Sequence, residues 1–92
     1  MKHYTIEFTK AAQETIKTWK KSAPMLLKKL LPLLDELMIH PREGKGKPKQ
    51  LQGDKTDVFS RRITGQHRLL YKIQEEKVLV LVVAIGGHYD DK

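Results

Sequence analysis

The fold is decided by residues 58–85, which read VFSRRITGQHRLLYKIQEEKVLVLVVAI. Three segments rich in β-branched and aromatic residues (58–64, 67–74 and 77–85) are separated by Gly65-Gln66 and Glu75-Glu76, so we expect three strands joined by tight turns. Gly65 suits the positive φ of a two-residue hairpin turn. The last segment is apolar on both faces, which predicts a central strand covered on each side.

The predicted hairpin also sorts side chains between the two faces of the sheet. If Gly65-Gln66 is the turn, Arg61 pairs with Leu70, and one face then carries Arg61, Arg68 and Lys72. The opposite face is more apolar and should meet the helices; it carries Val58, Leu69, Tyr71 and Ile73. The arginines would therefore point to the side on which a ligand could lie.

The N-terminal half predicts one strand followed by two helices. Residues 3–8 alternate between apolar and polar, and Thr9 is a plausible N-cap for a helix over 10–20. A second helix should begin at 22–24, where proline is tolerated, and end near His40-Pro41. Because Pro32 removes a backbone hydrogen bond, we expect a kink there, with two shorter helices as the alternative.

Length and composition indicate one α+β domain over residues 1–92, with two N-terminal helices packed on a small antiparallel sheet in the order β-α-α-β-β-β. No signal-like segment and no apolar run of the roughly 18 residues needed for a membrane span is present, so we expect a cytoplasmic protein without membrane partners. The chain has no cysteine and no Cys/His cluster. We therefore expect no metal and no cofactor.

Positive charge is concentrated around a long loop over residues 41–56. The chain carries a net charge of +7, and residues 42–72 hold nine Lys/Arg against three acids. Such a surface attracts RNA, DNA, an acidic protein, or more than one of these, although a merely solvated basic surface is an alternative. Long ordered loops tend to be functional.

Four motifs follow one another across this basic region and the C-terminus: Glu43-Gly44-Lys45-Gly46-Lys47-Pro48, Ser60-Arg61-Arg62-Ile63-Thr64, His67-Arg68-Leu69 and His88-Tyr89. In this order and spacing they resemble the YoeB/Txe-type toxins of the RelE superfamily, bacterial mRNA interferases that are paired with an antitoxin. The resemblance runs over almost the whole chain.

The resemblance implies a RelE-like α+β fold and a metal-independent endoribonuclease that cleaves mRNA in the ribosomal A site. The ribose 2′-OH would attack the adjacent phosphate, which requires a base, cations and an acid. The implied partners are mRNA, the ribosome and an acidic antitoxin that neutralises the basic surface, with a homodimer in the toxin–antitoxin complex.

The resemblance also assigns residues to these roles. Arg68 matches the family's phosphate-stabilising arginine, His88 its proton donor, and Tyr89 the aromatic residue that closes the site. Lys49 stands where the family has the glutamate that serves as general base, so Glu43 could replace that glutamate or Lys49 could stabilise charge. The surrounding residues predicted to contact RNA are Lys45, Lys47, Arg61 and Glu43.

Two other functions remain open. Lys49 favours a catalytically weakened RelE-fold binding protein that keeps only its affinity for the antitoxin or the ribosome. The other alternative is a ParE-like toxin that poisons gyrase. His88-Tyr89 and the GKGKP motif favour RNA cleavage over this alternative. We interpret His67 as structural, because it lies beside a turn.

Overall fold

The structure is a computed structural model that describes residues 3–44, 46, 48–51 and 57–87. Two helices pack on one five-stranded sheet whose strand order is β1-β5-β4-β3-β2. The elements are β1 (Thr5–Phe8), α1 (Lys10–Ser22), α2 (Pro24–Leu37), β2 (Lys49–Gln50), β3 (Val58–Arg62), β4 (His67–Gln74) and β5 (Leu79–Gly87). No helix in the described ranges is long and apolar enough to cross a membrane.

The sheet confirms the α+β class but is mixed, because β1 runs parallel to β5 at one edge. The remaining pairs are antiparallel. A parallel pair needs a crossover connection, whereas two antiparallel strands can be joined by a hairpin. The two helices lie between β1 and the later strands in the chain and provide that crossover.

Both helices begin close to the predicted residues. Thr9 caps α1: its hydroxyl oxygen accepts a hydrogen bond from the Ala12 amide at 3.2 Å, and the hydroxyl donates to the Val83 carbonyl at 2.6 Å. Ala23 rather than Ser22 precedes α2, with Pro24 in the first turn. Of the two alternatives at Pro32, the structure shows one helix that continues to Leu37.

The core lies between the helices and one face of the sheet. Its fully buried members come from every layer of the structure and include Ala12, Leu30, Leu37, Leu69, Tyr71, Val80 and Val82. No described helix covers the other face, which we call the open face. The last strand, β5, is central in the sheet, as expected, but its two faces are buried to different extents: Val80 and Val82 are fully buried toward the helices, whereas Leu79 and Leu81 are half-buried.

The β3–β4 register differs by one residue from the predicted one. Arg61 pairs with Leu69 and Arg62 pairs with Arg68. The connection is four residues long because the Thr64 hydroxyl oxygen accepts hydrogen bonds from the amides of residues 66 and 67, at 3.0 and 3.1 Å, which replaces a tight turn. Among the described glycines only Gly44 and Gly46 have a positive φ, so the expectation for Gly65 was also wrong.

This shift exchanges the side-chain faces of β3. Residues directly opposite one another in an antiparallel pair point to the same face. Arg61 therefore points with Leu69 toward the helices, and Arg62 points with Arg68 to the open face. Arg68 and Lys72 lie on the open face as expected, whereas Val58, which pairs with Lys72, lies there instead of under the helices.

Candidate functional site

The open face presents two rows of side chains across neighbouring strands. One row runs from Arg62 through Arg68 to Gly86. The next row, two residues along each strand, consists of Lys49, Ser60, Leu70 and Ala84. Cationic side chains from β2, β3 and β4 therefore share one surface.

Strand geometry brings these cations within reach of one small anion. Two residues along a strand span about 7 Å, and neighbouring strands lie about 4.8 Å apart. The Cα atoms of Lys49 and Arg68 are then roughly 12 Å apart, a gap that two long side chains can bridge from opposite sides. Gly86, opposite Arg68, leaves space on the side away from Arg62.

The arginine row has no acidic partner in the part of the chain that the structure describes. The ion pairs there join other groups, such as Lys72 with Asp57 at 3.5 Å. Like charges directly opposite each other on a sheet destabilise it. Arg62 and Arg68 therefore form a site where an anion such as phosphate would remove a repulsion as well as gain charge-assisted hydrogen bonds.

Arg61 has a different environment, which corrects its prediction as an RNA contact. Its side chain is 0% exposed and lies under α2. Its guanidinium donates to the Glu36 carboxylate at 2.8 Å, to the Glu43 carbonyl at 3.0 Å, to the Tyr71 hydroxyl at 3.1 Å and to the His40 carbonyl. A side chain in this position offers no surface to RNA.

Tyr71 completes this buried arrangement. Its hydroxyl donates to the Pro41 carbonyl at 2.6 Å while it accepts from Arg61. Burial raises the pKa of the Tyr71 phenol above its ordinary value, and the hydrogen bond from Arg61 opposes part of that rise. The phenol is therefore a neutral structural donor rather than a group that exchanges protons with a substrate.

Glu43 does not lie on the open face. Its carbonyl is bound by Arg61 on the helix side of the sheet, and its exposed carboxylate lies 3.8 Å from His40 Nδ1. Lys49 points to the other side of the sheet, with Ser60. The structure therefore does not bring the Glu43 carboxylate together with Lys49 and Arg68.

Four predicted site residues, Lys45, Lys47, His88 and Tyr89, lie outside the described residues. Their chain neighbours are described. The Gly46 carbonyl accepts a hydrogen bond from the Arg62 amide at 2.7 Å. Gly86 and Gly87 pair with Arg68 and His67 at the end of β5.

His67 is structural, as expected. Its Nδ1 lies 2.8 Å from the Thr64 hydroxyl, and its ring meets the Trp19 ring edge-on with centroids 5.7 Å apart. In the described residues no group of three or more His, Asp or Glu side chains could hold a metal ion.

Two positively charged features were not predicted from the sequence. Arg62 was not predicted to be a site residue, because only the true register places it beside Arg68. The helices also carry six exposed lysines that the emphasis on residues 42–72 overlooked, with one acid, Glu14, between residues 10 and 29: Lys10, Lys17, Lys20, Lys21, Lys28 and Lys29.

Comparison with known proteins gives consistent matches over most of the chain. A family model described as "YoeB-like toxin of bacterial type II toxin-antitoxin system" matches residues 8–89. Toxin YoeB of Escherichia coli K12 is 36% identical over 71 residues, which cover 77% of this chain and 82% of that protein.

Solved structures give the same result. The YoeB dimer from Staphylococcus aureus superposes with a TM-score of 0.83 at 30% identity, covering 95% of this chain and 99% of that one. The toxin in a heterotetrameric YoeB–YefM toxin–antitoxin complex from the same organism gives a TM-score of 0.82 at 30% identity, covering 94% and 98% of the two chains.

Proposed function

The chain belongs to the YoeB-like toxin family of bacterial type II toxin–antitoxin systems, and on that premise we propose that it is a ribosome-dependent endoribonuclease that cleaves mRNA. The observation that supports the proposal best is the row formed by Arg62 and Arg68 on the open face. This pair has the geometry and charge to bind a phosphate. The proposed substrate places the protein in the cytoplasm.

The proposed reaction is an internal transfer at one phosphate of the message. The ribose 2′-oxygen forms a bond to phosphorus as it gives up its proton, and the bond from phosphorus to the 5′-oxygen breaks. The products are a 2′,3′-cyclic phosphate and a 5′-hydroxyl. Negative charge grows on the equatorial oxygens in the transition state, where preorganised cations accelerate such reactions most.

Each proposed residue has one role in this scheme. Arg68 holds the non-bridging oxygens, with Arg62 beside it. Lys49, which also points to the open face, stabilises the same charge, and water accepts the 2′ proton. His88 donates a proton to the 5′-oxygen and Tyr89 closes the site, with Lys45 and Lys47 contacting neighbouring phosphates; these four roles rest on the sequence motifs alone.

We also propose that an acidic antitoxin covers the open face. Arg62 and Arg68, which have no acidic partner among the described residues, form the kind of surface that a partly disordered acidic segment would neutralise. The related S. aureus toxin forms a heterotetrameric complex with YefM, and a dimer of that toxin is also known. By analogy this chain would form a homodimer within its own complex.

Primer extension on total mRNA after induction of this chain tests the proposed function. The proposal expects new 5′ ends inside coding regions, and their disappearance when initiation is blocked. His88→Ala should remove those ends while the protein still accumulates. Cleavage that persists without translating ribosomes, or its absence in a chain that folds and is freed of antitoxin, would refute ribosome-dependent cleavage.

One observation favours a second function. The position of the family's general base holds Lys49, and the described part of the open face offers no carboxylate beside Arg68. A chain that binds ribosomes or antitoxin without cleaving mRNA would fit this substitution. The same primer-extension experiment, read together with ribosome co-sedimentation, distinguishes binding with cleavage from binding alone.

A further inference from the structure

Arg61 is the most buried charged residue among the described ones, and the proposed function does not use it. Its guanidinium contacts elements that are far apart in the chain: Glu36 of α2, the carbonyls of residues 40 and 43, and Tyr71 of β4. The Tyr71 hydroxyl in turn binds the Pro41 carbonyl. Three backbone carbonyls of the segment after α2 are therefore held by two side chains of the sheet.

The same strand holds the next part of this segment through its backbone. The Arg62 amide donates to the Gly46 carbonyl at 2.7 Å, and the Leu51 amide donates to the Val58 carbonyl at 2.8 Å. Between these bonds β2 pairs with β3 at Lys49. Gly46 and residues 49–51 thus lie along the edge of β3, although the sequence predicted an irregular loop over 41–56.

Stability alone does not account for a buried arginine here. A buried ion pair often contributes no more to stability than apolar residues of similar volume, because both charges lose their hydration. The guanidinium does supply several directed donors in a rigid plane, and these match carbonyls that an apolar side chain could not orient. These directed hydrogen bonds fix the positions of the carbonyls that accept them.

The surface pair formed by Arg42 and Glu75 is a weaker anchor for the same segment. Its side chains are 50% and 39% exposed. Exposed ion pairs contribute little, because water and salt screen them. The position of residues 40–43 therefore depends mainly on Arg61 and Tyr71.

Arg61 lies between the two rows of the candidate site. Its neighbours Ser60 and Arg62 point to the open face, where they stand beside Lys49 and Arg68. A shift of Gly46 and residues 49–51 along β3 would move Lys49 relative to Arg68. Misplacement of a catalytic group by about 1 Å can slow a reaction by about 100-fold.

We propose that Arg61 is a positioning residue: by binding residues 40–43 on the helix side of β3, it fixes Lys49 against Arg68 on the open side. The inference rests on the proposed RNA cleavage for its kinetic part only. Its structural part, that Arg61 holds residues 40–43 and thereby keeps Gly46 and residues 49–51 on β3, can be measured without RNA.

Three variants test the inference on the whole protein. Arg61→Met keeps the side-chain length and removes the donors, and Tyr71→Phe removes only the hydroxyl. Gly46→Ala displaces the segment while Arg61 keeps its guanidinium, since Gly46 has φ +79° and a Cβ there would lie 2.8 Å from the Arg62 carbonyl oxygen and 3.2 Å from the Arg61 Cβ. Gly65→Ala is the matched control, because a Cβ at Gly65 meets nothing within 4 Å.

Hydrogen exchange provides the measurement that does not depend on activity. The Arg62 and Leu51 amides, whose acceptors are Gly46 and Val58, should lose protection by about tenfold or more in the three variants, whereas amides of β5 should keep it. Gly65→Ala should match the wild type. Equal loss of protection across β3, β4 and β5 in all three variants, or no loss at the two reporter amides, would overturn the inference.

Kinetics provide the second measurement. On programmed ribosomes, single-turnover cleavage should slow by about 10- to 100-fold in the three variants. The Kd for ribosomes whose message carries a 2′-deoxy group at the scissile position should change less than about threefold, since the open-face cations remain. Local loss of protection with an unchanged rate would overturn the positioning role. A wild type that never cleaves would refute the proposed function, and the exchange measurement alone would then decide whether Arg61 holds the segment.

Discussion

Arg62 of β3 and Arg68 of β4 lie directly opposite one another on the face of the sheet that the helices leave uncovered. Two guanidinium groups in this relation repel, and the described residues place no carboxylate between them. This repulsion lowers the stability of the folded protein when no anion is bound. The pair regains that stability when a phosphate or a carboxylate binds between the two side chains.

Arg68→Gln should therefore separate stability from activity. Cleavage should fall by about 100-fold or more, because a transition-state contact is lost. The free energy of unfolding at low salt should stay unchanged or rise by up to about 1 kcal/mol, because a repulsion is removed. Single-turnover cleavage and urea denaturation measure the two effects, with Lys77→Gln, a charge loss in the exposed turn after β4, as the control. A destabilised Arg68→Gln protein would contradict this interpretation of the pair.

Lys49→Glu tests the role of the residue that replaces the family's glutamate. We expect slower cleavage, because a negative charge beside Arg68 would compete with the phosphate for that cation. Lys49→Gln should have a smaller effect, since it removes a cation without adding an anion. Single-turnover rates on the same ribosome-bound message measure both. A Lys49→Glu variant that is faster than the wild type would show that Lys49 is a defect in an otherwise family-like site.

The expected antitoxin is an acidic protein that binds the open face. The gene next to this one should encode a small acidic protein that co-purifies with the chain, because no described acidic side chain pairs with Arg62 or Arg68 on the open face. Removal of the charges of Arg62 and Arg68 together should weaken that complex and reduce its dependence on salt concentration. Reciprocal pull-downs at two salt concentrations measure this. Expression of the chain without toxicity and recovery of no acidic partner would remove most support for the toxin role.

Cleavage should persist in EDTA as long as ribosomes stay intact. The proposed acid is an imidazole and the proposed electrostatic groups are side-chain cations, so no step needs a Lewis acid. Primer extension across a chelator titration measures this, with ribosome integrity followed by sedimentation. Loss of cleavage at chelator concentrations that leave ribosomes intact would point to a metal in the reaction.

The stability of the protein should fall at alkaline pH, because the unfolded chain ionises the Tyr71 phenol more readily than the folded chain does. Burial raises the pKa of its phenol in the folded state, so the folded chain keeps a proton that the unfolded chain loses at a pH near 10. The stabilisation is complete below the unfolded pKa and is lost as pH rises through the folded one. Tyr71→Phe should flatten this alkaline fall while lowering stability at neutral pH by about 1–3 kcal/mol, since partners of the hydroxyl stay buried. Urea denaturation between pH 8 and pH 11 would show it, and an unchanged alkaline slope would contradict it.

The sequence was sufficient for the elements whose signals are local. Thr9, the leucine periodicity of α2 and the β-branched residues of β5 each act within a few residues, so the two helices and the C-terminal strands could be predicted. The parallel pairing of β1 with β5 could not, because it depends on which edge of the finished sheet is free.

The errors at the candidate site have one physical origin. A Gly-Gln dipeptide resembles a tight turn, but the Thr64 hydroxyl binds two backbone amides and lengthens the connection. The predicted register places Arg61 at the surface, whereas the observed register, one residue away, places it in the core. An arginine on a strand is usually taken as solvent-facing, and its burial became visible only with its acceptors, which come from residues 36, 40, 43 and 71.

The strand order has a consequence for the stage of folding at which the candidate site forms. Strand β5 lies between β1 and β4, yet it is the last strand to be synthesised, and β1 pairs with it across more than 70 residues of chain. A nascent chain that lacks residues 79–87 has no central strand on which β1 or β4 could assemble. Contacts of such long sequence separation also form slowly. Assembly of the sheet, and with it the alignment of Arg68 between β3 and β5, should therefore be a late step of folding that waits for β5.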